Sequence, residues 1–184
     1  MGGIHIMKRI ILIGGKSGSG KNTIAEFMKT YLENKHKKKV LILGNGDKVR
    51  EYAKTYFKLE NYKADDNGRR IMQGITNMLY DLDPNYFEKI THDTIYTTDY
   101  DVYLIIDWRY ASTYTYFKNS AYKVNTIYLT RKSPYNYGEQ VTKDKSEQLE
   151  GIKPYIQQYV HNESLSLSQL KSEVSRITEV IING

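Results

Sequence analysis

Residues 9–29 read RIILIGGKSGSGKNTIAEFMK. The apolar residues 10–13, bounded by Arg9 and Gly14, predict a short buried strand. Ile24, Phe27, Met28 and Leu32 then recur at helical spacing. Between strand and helix lie only Gly, Lys and Ser, and Gly15, Gly20 and Lys21 satisfy G-x-x-x-x-G-K. Such a loop must turn successive backbone N–H groups inward to make an anion nest, and side chains would obstruct it. The helix that follows adds its free N–H groups and the positive end of its dipole. The pattern therefore predicts a nucleoside triphosphate site formed by Gly15, Lys16, Ser17, Gly18, Ser19, Gly20, Lys21, Asn22 and Thr23. Lys21 would reach the β- and γ-phosphates. Asn22 stands where the pattern asks for Ser or Thr, and Thr23 supplies a hydroxyl one place later, the candidate ligand for Mg2+.

Outward from the loop, strand and helix signals alternate. Strands are expected at 8–14, 38–46, 101–107, 122–132 and 155–160. Helices are expected at 21–38, 47–59, 68–82, from Pro84 onward, and at 164–181. Alternation of this kind implies a three-layer α/β fold with a five-stranded parallel sheet covered on both faces. No linker divides the chain, so residues 1–184 read as a single domain. Residues 133–151 are polar and without periodicity, and the stretch of about 131–151 reads as a lid.

The totals agree with such an enzyme. The chain has 184 residues, 40% hydrophobic and 26% charged, enough for one domain with a core. No run reaches transmembrane length and no leader pattern precedes the first strand. There is no cysteine, which excludes disulfides and thiolate metal sites and agrees with a cytoplasmic location. The net charge of +6 agrees with a phosphate-rich partner. No basic stripe interleaved with aromatics supports nucleic acid as that partner, and a homodimer is left open. His5, His36, His92 and His161 lack metal-ligand spacing.

In an open parallel sheet, ligands sit at the carboxyl ends of the strands. Asp107 ends the third strand and would order magnesium-bound water or position the acceptor; the competing reading is an N-cap for a helix starting near Trp108. Arg109 lies two residues on, with a planar fork suited to phosphate oxygens. Arg69 and Gln73 share one helical face, so that face could hold a phosphate and a base edge; Arg70 and, after the second strand, Lys48 are further acceptor-site candidates. Arg131 ends the fourth strand beside the polar loop, where a cation can close over a transferring phosphoryl group.

With these pieces in order, the chain resembles the deoxynucleoside monophosphate kinases of bacteriophages, within the adenylate-kinase-like P-loop kinases. GKSGSGKNT resembles that family's phosphate loop, GNGDKVREYA its segment after the second strand, RRIMQ its arginine–glutamine helix, IIDWRY its strand-end Asp-x-Arg, and IYLTRK the strand leading to its lid. The resemblance implies transfer of the γ-phosphoryl group of ATP, with Mg2+, to a (deoxy)nucleoside monophosphate; the alternatives are a P-loop kinase of another small phosphorylated acceptor such as phosphomevalonate, which the paired arginines would also serve, and a nucleotide-dependent nucleic-acid-binding protein. Lys21, Asp107, Arg109 and Arg131 would be catalytic. Lys48, Arg69, Arg70, Gln73, Asp107 and Arg109 would hold the acceptor, and Thr23 and Asp107 the metal. The family tends to place Gly-Thr soon after its glutamine; here Gly74, Ile75, Thr76 and Asn77 follow, so the acceptor pocket is expected to differ.

Overall fold

A computed structural model describes residues 7–60, 66–131, 138–143 and 149–184. Five strands, β1 (Arg9–Gly15), β2 (Val40–Gly44), β3 (Val102–Trp108), β4 (Lys123–Thr130) and β5 (Gln158–His161), pair in parallel in the order β2-β3-β1-β4-β5. Seven α-helices occur among the described residues: α1 (Lys21–His36), α2 (Asn45–Phe57), α3 (Asp66–Leu82), α4 (Tyr86–Thr97), α5 (Ala111–Lys118), α6 (Glu139–Thr142) and α7 (Leu167–Asn183). No helix among the described residues is long and apolar enough to cross a membrane.

Both faces of the central strand are buried. Ile11 and Ile13 point into a core with Met28 and Leu32 of α1 and Val174 and Ile177 of α7. Ile10 and Leu12 point the other way, toward Ile95 of α4 and Phe117 of α5. This is why the strand reads as an unbroken apolar run rather than an alternation. A third cluster joins α2 to α3 through Val49, Ala53, Met72, Ile75 and Leu79, with Phe87 of α4. The expected α/β architecture with its five parallel strands is observed.

Local differences have local causes. Pro84 lies in a turn, where Tyr86 N donates to Asp83 O at 2.9 Å, and α4 starts two residues later. Trp108 starts no helix: it ends β3, fully buried, and α5 begins at Ala111 with Tyr110 as N-cap. Asp107 is therefore not a helix cap. The stretch 131–151, expected as a lid, contains α6 and the first residues of a 3₁₀ segment, Leu149–Tyr155; its residues 132–137 and 144–148 lie outside the described residues. The fifth strand is shorter and later than expected: Tyr155 ends the 3₁₀ segment, Ile156 N still donates back to Lys153 O at 3.2 Å, and the strand starts at Gln158.

Candidate active site

The loop after β1 takes the backbone form that its glycines permit. Gly15, Gly18 and Gly20 have φ of 144°, 77° and 100°, values that strain other residues. A Cβ on Gly15 would stand 2.7 Å from Ser19 Oγ and 2.8 Å from the Leu129 carbonyl oxygen. α1 then begins at Lys21 with no side-chain cap and no acidic residue in its first turn, so its N–H groups and dipole favour an anion. Ser19 is fully buried, and its Oγ has no hydrogen-bond partner among the described residues. Asn162, just after β5, braces the loop by donating from Nδ2 to Ser19 O at 3.1 Å.

Lys21 is 5% exposed. Its Nζ donates to the carbonyls of Gly15 at 2.9 Å and Lys16 at 3.0 Å, and lies 3.6 Å from Asp107 Oδ1. Asp107 owes its position to a bulge. Ile13 pairs with Ile106 but Gly14 pairs with Trp108, so Asp107 is an extra residue in β3, with φ of 68°. Asp is among the few non-glycine residues that tolerate this region, and bulges of this kind re-aim side chains beside active sites. Burial alone would push the Asp107 carboxyl up; the charges of Lys21, Arg109, Arg50 and Arg69 outweigh it and hold the group below the usual carboxylate range. It is ionised at neutral pH.

These groups open onto one cleft of about 620 Å³. Ser17, Gly18, Gly20, Lys21, Asn22 and Thr23 line one part of it; Lys16 and Arg70 are exposed and outside it. Arg50, Arg69, Arg109 and Arg131 line it with Asp107. Arg69, Met72, Gln73, Thr76 and Tyr80 form a single stripe along α3, the three-and-four spacing of one helical face. Tyr80, Phe87 and Tyr110 complete an aromatic wall. Tyr80 meets Phe87 and Tyr110 edge-on, at ring separations of 5.0 and 4.7 Å.

Two sequence expectations change here. Lys48 does not line the cleft: its Nζ is bonded to Glu51 at 2.9 Å and lies over the Tyr52 ring. Arg50, two residues on, occupies the place expected of it. A Cβ on Gly46 would stand 3.0 Å from Arg50 Nη1 and 3.3 Å from Asp107 Oδ2, so the bare glycine leaves guanidinium and carboxylate side by side. Asp47 pairs with Arg50 and accepts from Gly44 N at 3.1 Å, tying Arg50 to the turn after β2. The signal was available, since 46, 49 and 50 fall on one helical face. Gln73 lines the cleft but its Nε2 donates to Val141 O of α6 at 3.0 Å, which commits it to a protein partner.

Residues 7–81 match the family model for adenylylsulphate kinases. The matched stretch runs from β1 to the end of α3 and so contains the loop, Arg50 and the α3 stripe; Asp107, Arg109 and Arg131 lie beyond it. Among solved structures, the chain is similar to a gluconokinase from Sinorhizobium meliloti 1021 at 12% identity and a TM-score of 0.49, over 96% of this chain and 97% of that one. It is similar to a shikimate kinase from Bacteroides thetaiotaomicron at 15% identity and a TM-score of 0.47, over 95% and 98%. A third is the adenylylsulphate kinase of Mycobacterium tuberculosis, at 13% identity and a TM-score of 0.45, over 94% and 99%. No curated protein matches the chain. The adenylylsulphate kinase match names a different acceptor from the one implied by the phage-kinase resemblance. The two share the phosphate loop at the head of the chain.

Whether the cleft suits a triphosphate can be judged from its atoms. Three left-handed glycines, an uncapped helix start and the orphaned Ser19 hydroxyl form a cradle whose free groups match phosphate oxygens. No group of three or more His, Cys, Asp or Glu gathers anywhere among the described residues. A magnesium ion does not need one: it is commonly held by one or two carboxylates together with substrate phosphates. Thr23 and the ionised Asp107, both on the cleft, fit that demand.

Proposed function

We propose that the chain is an ATP-dependent phosphotransferase whose acceptor is a small phosphorylated molecule, a (deoxy)nucleoside monophosphate. The observation that carries this reading is the composition of the cleft: Lys21 and four arginines against one carboxylate, Asp107, with an aromatic wall beside them. That excess of positive charge favours an acceptor that brings a counter-charge over a neutral one. A phosphomonoester dianion supplies one, and the flat faces of Tyr80, Phe87 and Tyr110 suit a base.

In this reading the loop N–H groups hold the donor phosphates and Lys21 exchanges its two carbonyl partners for phosphate oxygens. Arg50, Arg69 and Arg109 grip the acceptor phosphate, and Arg131 covers the transferring group. An oxygen of the acceptor phosphate attacks the γ-phosphorus, and the bond from that phosphorus to the β–γ bridging oxygen breaks, leaving ADP and a diphosphate. Thr23 and Asp107 would hold Mg2+, which when bound supplies positive charge to the β- and γ-oxygens. Catalysis is then chiefly positioning and charge stabilisation.

The match of residues 7–81 to adenylylsulphate kinases favours a second acceptor, adenylylsulphate, which also carries a base and a 5′-phosphoryl group. A coupled ADP-release assay with ATP and Mg2+ separates the readings. The panel holds all common NMPs and dNMPs, adenylylsulphate and phosphomevalonate. The proposal expects turnover on at least one monophosphate well above ATP hydrolysis without acceptor. Turnover on adenylylsulphate alone, or on none of the panel, refutes it.

A further inference from the structure

We infer that Glu88 is a positioning residue for the acceptor, acting through Tyr80 to set the aromatic wall of the cleft. The inference rests on the reading of the cleft as a phosphotransferase site. Glu88 lies in α4, is 1% exposed and does not itself line the cleft. Its Oε1 accepts from the Thr113 hydroxyl of α5 at 2.5 Å and receives the Tyr80 hydroxyl of α3 at 3.5 Å. Its Oε2 has no hydrogen-bond partner among the described residues.

A carboxyl group in such a place is costly. It is removed from water with one oxygen unsatisfied, and an apolar side chain of similar size would avoid the penalty. What the group supplies in return is a junction. α3, α4 and α5 meet at this one carboxyl, and Tyr80, Phe87 and Tyr110 sit on α3, on α4 and at the N-cap of α5. With its hydroxyl drawn toward Glu88, Tyr80 presents ring atoms to the cleft. The wall then favours an acceptor with a flat, apolar-faced group and disfavours one that needs a hydrogen bond from the wall.

Steady-state kinetics with the best acceptor of the panel test this. Glu88→Ala should raise the acceptor KM roughly fivefold to twentyfold, the loss expected from a broken buried hydrogen-bond junction, while the ATP KM stays within about twofold. Glu88→Gln, which keeps the accepting oxygen, should restore the acceptor KM. Tyr80→Phe should act in the same direction as Glu88→Ala, and the double variant should be no worse than the larger single one, because both remove one linkage. An unchanged acceptor KM in Glu88→Ala, an equal rise in the ATP KM, or additive effects overturn the inference. If Glu88→Ala does not fold, an unchanged acceptor KM in Tyr80→Phe overturns it instead. Wild-type turnover on a non-nucleotide acceptor alone refutes the nucleotide reading and leaves the Glu88 series to be read on that acceptor; an inactive wild type overturns both.

Discussion

At the start of α1, Lys21 is an almost buried ammonium group held by two carbonyls and by Asp107. Lys21→Ala removes the charge nearest the transferring phosphoryl group but leaves the nest. The expected result is a fall in kcat of about 10²-fold or more, read by single-turnover kinetics. Thr23→Val should raise the Mg2+ concentration needed for half-maximal activity more than Asn22→Ala does, since only Thr23 carries a hydroxyl at the helix start. A magnesium titration in which the two variants match removes Thr23 from the metal site. At this scale the backbone form of the glycine loop was legible, because Gly15, Gly18 and Gly20 each take a φ that other residues adopt only with strain. Asp107 was legible as a strand-end acid, but its bulge was not. A one-residue shift in pairing leaves no periodic trace in a strand that is apolar on both faces. Nearness to the strand end does not separate Arg50 from Lys48; the helical face shared by 46, 49 and 50 does.

Along α3 the face of the helix decides which arginine matters. Arg69 lines the cleft and Arg70 does not. Arg69→Ala should raise the acceptor KM about 10- to 150-fold, the value of a lost charge-assisted hydrogen bond, with the ATP KM much less affected. Arg70→Ala should leave both within about twofold. Equal effects of the two variants would place the acceptor elsewhere. Gln73 has a second duty at the level of elements. Its bond to Val141 O and the bond from Gly138 N to Asp66 at 2.8 Å dock α6 on α3. Gln73→Ala should therefore speed proteolytic cleavage between residues 138 and 143, besides any change in base preference. α6 itself could not be read from the sequence, since four residues give no helical period; it exists by docking. For α5 the sequence offers only a start near Trp108, because its eight residues are mostly Thr, Tyr and Ser, weak formers that tertiary packing has recruited.

For the whole molecule, one buried acid governs part of the response to pH. Burial raises the Glu88 carboxyl above the ordinary glutamate value, so the folded chain holds that proton more tightly than the unfolded chain. Stability from this group is complete below the unfolded value and is lost as pH rises through the folded one. Glu88→Gln should consequently raise Tm at pH 8, by about 2–4 °C for each kcal/mol recovered in a chain of this size, and leave it unchanged near pH 4. A pH-independent difference in Tm would mean that Glu88 is already neutral or already solvated.

The strand order also has a consequence in time. Of the five strands, β1 leaves the ribosome before the others, yet its neighbours are β3 and β4: Ile10 pairs with Tyr103 on one side and Val124 on the other. β2, which follows β1 in the chain, pairs among the described residues only with β3. A nascent chain that ends after α3 thus holds two strands with no ladder between them, and its most apolar segment waits with both edges open until residue 130 has emerged. Contacts this distant in sequence form late and leave the waiting segment open to misassociation. A polypeptide of residues 7–81, although it spans the phosphate loop and α3, should show no cooperative unfolding transition and no nucleotide-dependent protection in hydrogen exchange. Arrested-chain proteolysis should find the loop cleavable until β4 is outside the exit tunnel, so the nucleotide cradle is finished by translation of a segment that lies more than a hundred residues after it.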